Sequence, residues 1–157
     1  MKTATRKDWK ILPMPGRRSL IPVDRQFGAE EMKRIKRGVI PEAMEDKWFI
    51  YFERDRLYFH RSWTGFRLYV GHFKRKQANF ALLLIEANRN AKQYTEKDDA
   101  RDARLFFYLT DLLLLGRSTP FPGLANESDE QTAIRQWTEV GRAMLSEPES
   151  IEKDLED

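Results

Sequence analysis

An α+β fold follows from three features of the sequence. A central run alternates apolar and polar residues, one short amphipathic stretch precedes it, and two helical stretches follow it. Alternation with a period of two is the pattern of half-buried strands, and apolar spacings of three and four are the pattern of helices. The expected architecture is a four-stranded antiparallel meander packed against two C-terminal helices, with a short N-terminal helix.

Taken in order, residues 1–26 are rich in proline and base and read as an arm, with one short strand at 9–12. A single domain is expected over 27–146. Phe27 precedes GAEEMKRIKRG, where Met32 and Ile35 share a helical face, glutamates come early and bases late. Gly38 can end that helix in a left-handed conformation, and Pro41 blocks its continuation. WFIYFE (48–53) and RLYFHRS (56–62) flank Arg54-Asp55 and read as a hairpin, although Arg-Asp is not a preferred turn pair. Trp63-Thr64-Gly65 forms the next turn and FRLYVGHF (66–73) the third strand. KRKQ (74–77) then turns into NFALLLIEA (79–87). Phe80, Leu83, Leu84 and Ala87 would also fit a helical face, but the meander needs a neighbour, which favours a strand.

The first C-terminal helix spans 95–116, with Thr95 and Asp98 as a variant capping box and Gly116 as its end. The second opens at Ser128 with Gln131 as capping partner, and Ile134, Trp137, Val140 and Met144 form its apolar stripe. Residues 147–157 read as a solvated acidic tail.

A chain of 157 residues suits one domain with a real core. The absence of cysteine excludes disulfides, thiolate nucleophiles and zinc–cysteine sites. The N-terminus shows no apolar stretch of signal-peptide length, and the apolar run 105–115 is too short to cross a bilayer and carries Asp111. A cytoplasmic protein without a membrane partner is expected. The net charge of +3 conceals an asymmetry: residues 1–126 carry 25 bases and 15 acids, and residues 127–157 carry three bases and ten acids. A basic body can attract polyanions, and an acidic tail can equally screen it.

With Arg54-Asp55 as the turn, Phe52 faces Leu57, Ile50 faces Phe59 and Trp48 faces Arg61. Those residues share a core face with Phe66, Leu68 and Val70. The opposite face then displays Phe49, Tyr51, Tyr58, His60, Arg67 and Tyr69. Tyrosines, a histidine and an arginine on an open sheet suit stacking on bases and clasping phosphate. The candidate ligand-binding residues are Tyr58, His60, Arg61, Trp63, Arg67 and Tyr69. The same side chains are also ordinary on a half-exposed antiparallel face, where aromatic pairs stabilise the sheet. Arg61 needs a partner, for which Asp111 and Glu86 are the candidates. An RNA-cleaving pair would use His60 and His72, but the alternation places His72 on the core side. No catalytic residue, metal site, phosphate loop or cofactor-binding pattern is identified.

The segment MEDKWFIYFERDRLYFHRSWTGFRLYV, followed by EANRNAKQY, LTDLLLLG and a downstream FPG, resembles a small family of bacterial proteins across residues 27–125. That family is associated with macrodomain-type ADP-ribose hydrolases. This chain lacks the asparagine-rich and glycine-rich loops of macrodomains and so does not resemble one itself. The resemblance implies a shared fold and an ADP-ribose or nucleotide setting, with a nucleotide-like ligand or a macrodomain-type protein as partner; it carries over no catalytic residue. Two function classes fit the sequence. One is a non-catalytic binder of a nucleotide-like ligand, and the other is a protein-interaction or homo-oligomerisation domain. Single-stranded RNA binding or cleavage ranks third.

Overall fold

Alternation in the centre of the chain is realised as a β-meander, and one further strand joins it from the stretch expected to be an arm. The computed structural model describes residues 2–118. The elements are β1 (Arg18–Phe27), α1 (Ala29–Ile35), β2 (Trp48–Glu53), β3 (Arg56–Arg61), β4 (Arg67–Lys76), β5 (Asn79–Asn88) and α2 (Asp99–Leu109), which continues as a π-helical turn over Thr110–Leu114. The fold is α+β, with a five-stranded antiparallel sheet in the order β1-β5-β4-β3-β2. The second C-terminal helix expected over 128–145 and the acidic tail lie outside the described residues.

The fifth strand corrects the four-stranded expectation. β1 pairs with β5 from Arg18↔Asn88 to Phe27↔Phe80, with a register irregularity between Pro22 and Arg25. Its proline and interspersed charges resemble a loop in sequence, but proline is tolerated on an edge strand. The short strand expected at 9–12 does not form. That segment is tied down instead by single bonds such as Leu12 N to Gly65 O at 2.9 Å. Residues 79–87, ambiguous in sequence, are a strand paired on both sides. The turn before them is Gln77-Ala78, not KRKQ, because Lys74, Arg75 and Lys76 continue the ladder.

Two positions show how local chemistry sets the element ends. Gly38 has φ +69°, and a Cβ there would lie 2.2 Å from the Ile50 carbonyl oxygen. Glycine is therefore required where α1 ends, as its position in the sequence implied. Asp98 caps α2, its carboxylate accepting from the Ala100 and Arg101 amides at 3.0 and 3.3 Å. The helix thus starts later than the Thr95 box predicts, because the aspartate satisfies the first free N–H groups itself.

Both helices cover one face of the sheet, here called the inner face. Met32 and Ile35 of α1 and Leu105, Phe106 and Leu109 of α2 share one core with Trp48, Phe59, Tyr69 and Ile85. Phe106 lies 4.6 Å from Phe59, ring to ring, and descends onto Gly71, where a Cβ would be 2.5 Å from its ring. Beside it the fully buried Asp102 carboxylate accepts from the Tyr69 hydroxyl at 2.7 Å and the Tyr94 hydroxyl at 2.5 Å. Arg89 meets the other carboxylate oxygen at 2.6 Å. Burial pushes the Asp102 carboxyl up, against the pull of the two tyrosines and of Arg89.

Two stability changes follow. Gly71→Ala should lower the urea midpoint by an amount equivalent to about 1–3 kcal/mol, the usual cost of overpacking. Asp102→Ala should cost about 3 kcal/mol by leaving Arg89 short of its buried partner, whereas Tyr94→Phe should cost about 1 kcal/mol. Equal costs for Asp102→Ala and Tyr94→Phe would show that the ion pair contributes nothing beyond the hydroxyl bond.

Candidate functional site

The register of β3 against β4 decides which side chains share the outer face, the one opposite the helices. Phe59 pairs with Tyr69, but the next residue, His60, pairs with Arg67, so β4 holds one extra residue at Leu68. Such a bulge reverses the alternation beyond it. Arg67 and Tyr69 were expected on one face, yet they fall on opposite faces. Tyr69 is fully buried in the inner core, while Val70, expected in that core, lies opposite Tyr58 on the outer face. His72, placed on the core side by simple alternation, lies opposite Arg56 and also faces outward.

The N-terminal segment covers the β2 end of the outer face. Ala4 packs with Phe49 and Tyr51 in a second small core that Ile11 and Tyr58 border. The Trp9 indole N–H donates to Ser62 O at 2.7 Å. Beneath this cover His60 is fully buried. Its Nδ1 meets Gly65 O at 2.9 Å and is therefore the protonated nitrogen, leaving Nε2 to accept from Arg67 Nε at 3.3 Å. Burial drives its pKa down to about 4; the Gly65 carbonyl opposes this and the Arg67 charge adds to it. His60 is a neutral spacer that holds Arg67.

Where the cover ends, a cleft of about 500 Å³ opens, lined by Arg6, Ile11, Tyr51, Glu53, Arg54, Arg56, Tyr58 and Arg67. Tyr51 and Tyr58 stack at 4.7 Å with their planes 7° apart. The Arg67 guanidinium lies 4.5 Å over the Tyr58 ring and donates to the Tyr51 hydroxyl at 3.3 Å. Four arginines face one carboxylate, Glu53, which Arg6 approaches at 3.7 Å. Arg54 is held at φ +54° in the hairpin turn, a conformation that costs an arginine about 1–2 kcal/mol. Guanidinium forks match phosphate oxygens, and a tyrosine-backed arginine offers a plane for a ring to stack on.

Of the six residues singled out in the sequence, Tyr58 and Arg67 line this cleft. His60 lies behind it. Arg61 is on the inner side, 4.6 Å over the Trp48 ring. Both acids expected to serve Arg61 are engaged elsewhere: Asp111 by Arg25 at 2.6 Å, and Glu86 by Arg18 and His72 at 2.6 Å each. Trp63 borders a separate groove of about 610 Å³ with Trp9 and Met44. Tyr69 belongs to the core because of the bulge. The sequence reading missed Arg6, Arg54 and Arg56. Arg56 was within reach, since it alternates with Tyr58 and His60, whereas Arg6 carries no local signal.

His60 and His72 do share the outer face. His72 nevertheless sits opposite Arg56, four residues or about 13 Å along β3 from His60, and bonds to Glu86. They form no joint acid–base pair. Among the described residues, no three His, Asp or Glu side chains gather in a way that could hold a metal ion, and no helix is long and apolar enough to cross a membrane. No family model matches the chain, and no curated protein or solved structure is found to be similar to it.

The buried His60 gives a pH signature. Its folded pKa of about 4 lies below the ordinary 6.5, so the unfolded chain binds the proton more tightly. Stability present above pH 6.5 should therefore fall as the pH drops toward 4, by up to about 3 kcal/mol. His60→Gln should flatten that part of the urea-stability profile. A profile of unchanged slope would show that His60 is not the group responsible.

Proposed function

We propose that this chain is a cytoplasmic, non-catalytic module that binds a phosphate-bearing, nucleotide-like ligand in the arginine–tyrosine cleft. One observation carries the reading: four arginines and a stacked tyrosine pair line one opening with a single carboxylate. Arg67 is held between Tyr51, Tyr58 and His60, so little of its freedom remains to be lost on binding. The strained turn at Arg54 supports the reading as well. Asparagine or glycine would relieve φ +54°, yet an arginine sits there at the rim of the cleft. The resemblance of residues 27–125 to proteins associated with ADP-ribose hydrolases favours ADP-ribose and its relatives among such ligands.

A second reading, a protein-interaction or oligomerisation domain, is favoured by the groove where Trp9, Met44 and Trp63 stay exposed. Light scattering across a concentration series addresses its oligomeric form, since a monomer at every concentration removes it.

Thermal unfolding with ADP-ribose, NAD and AMP tests the first reading. A bound ligand at 100 times its Kd should add about 2.7 kcal/mol of stability. Arg56→Ala and Arg67→Ala should weaken binding about tenfold or more. Arg54→Asn should do two opposite things, raising stability by up to about 1 kcal/mol while weakening binding. A stability gain with affinity intact would make Arg54 a turn residue only, and no shift with any of the three ligands would remove the reading.

A further inference from the structure

We infer that the ligand of this site is a single-stranded nucleic acid, one unit of which occupies the cleft while the strand continues across the outer face of β4 and β5 to Arg18 on β1. The inference rests on the reading of the cleft as a nucleotide-binding site and names its ligand class.

The path is set by the ladder. Tyr58, Val70, Glu86 and Leu20 stand opposite one another in successive strands and form one row across the outer face. Arg56, His72, Leu84 and Pro22 form the next. The N-terminal segment that covers the β2 end leaves the β1 end open, since Leu20 is 60% exposed and Pro22 is exposed as well. From β3 to β1 the path crosses three strand spacings, about 14 Å, which is more than one nucleotide needs.

Charge and shape both select the occupant. Cations stand at each end of the path, Arg56 and Arg67 at the cleft and Arg18 at the far edge, with half-buried His72 and Leu84 and exposed Leu20 between them; Val70 lies buried beneath. The acid within these rows, Glu86, is bonded to both Arg18 and His72 at 2.6 Å. Burial raises its pKa, but the bonds from His72 and Arg18 outweigh that and hold the carboxyl below its usual range. It is therefore a bridged anion rather than a free one. Over residues 1–126 the bases exceed the acids by ten. A polyanion whose charges alternate with flat rings matches this sequence of guanidinium, tyrosine and aliphatic surface. A paired duplex would keep its rings away from the sheet, so an unpaired strand is the better match. An acidic peptide fits less well. β4 and β5, which the path crosses, are paired on both sides and offer a peptide no free backbone edge, and the free edge of β1 runs across the path rather than along it.

The test uses the full-length protein, with AMP and oligoadenylates of two, four and eight residues in competition against a fluorescent octamer. Affinity should rise at least tenfold from AMP to the tetramer and then level off. The tetramer's log Kd should change with log salt by a slope of about 2 to 3, as expected for three to four neutralised phosphates. Arg18→Ala and, independently, Leu20→Glu should erase the gain with length while leaving AMP affinity unchanged. Both lie outside the cleft, and Leu20 is exposed, so folding is preserved in at least the second. AMP binding without a gain in length, a gain that survives both variants, or a hexaglutamate peptide that competes as well as the tetramer would overturn the inference and leave the cleft reading standing. Failure of AMP and every oligomer to bind would overturn the inference, and failure of ADP-ribose and NAD as well would remove the cleft reading with it.

Discussion

One additional residue in β4, Leu68, governs both faces of the sheet. Strands alternate their side chains strictly, so a single bulge exchanges the roles of everything that follows it. With the bulge, Tyr69, Gly71 and Phe73 turn inward, where Phe106 can settle on Gly71 and Tyr69 can reach Asp102. Arg67, on the other side of the bulge, turns outward and joins Tyr51 and Tyr58. A regular ladder would place Tyr69 beside Arg67 and leave Asp102 one hydroxyl short in a dry interior. The buried aspartate and the surface arginine cluster therefore depend on the same local irregularity.

The N-terminal segment is the second determinant. Phe49, Tyr51 and His60 on an open sheet would form a broad aromatic surface, but Ala4, Trp9 and Ile11 close over them. The cover turns a flat face into an edge with a cleft beside it, and the arginines gather where the cover stops. Arg6 comes from the covering segment, Arg54 from a turn, and Arg56 and Arg67 from neighbouring strands. Three separate segments of the chain, the covering segment, the β2–β3 hairpin and β4, thus bring four arginines to one cleft.

Much of this was legible in the sequence where local pattern and chemistry agree. The β2–β3 hairpin has the register its alternation implies, with Phe52 opposite Leu57, Ile50 opposite Phe59 and Trp48 opposite Arg61. Gly38 takes the left-handed conformation its place after a helix suggests. Long-range geometry was not legible. Nothing in RLYVGHF marks Leu68 as a bulge, and the error in parity misplaced Tyr69, Val70 and His72 together. β1 was hidden by Pro22, whose rigidity suggests a loop unless an edge position is already known. The partners of Asp111 and Glu86 followed from β1, so losing that strand also lost Arg25 and Arg18 as candidates. Of the expected site residues, Tyr58 and Arg67 met in the cleft because they flank the bulge on its outer side.

The isolated bridge between Val39 and Ile50 has a consequence beyond the fold. WFIYFE holds four aromatic residues and the β-branched Ile50, carries one charge, contains no proline, and lies on the outermost strand β2. An edge of that composition is a template for stacking one chain on another into fibrils. Val39 occupies the middle of it, giving its N–H to Ile50 O at 2.9 Å and accepting from Ile50 N at 3.0 Å. Gly38 is the residue that lets the chain come close enough to do so. A two-bond latch of this kind caps the middle of that exposed edge, so the turn after α1 also bears on how the strand meets a second chain.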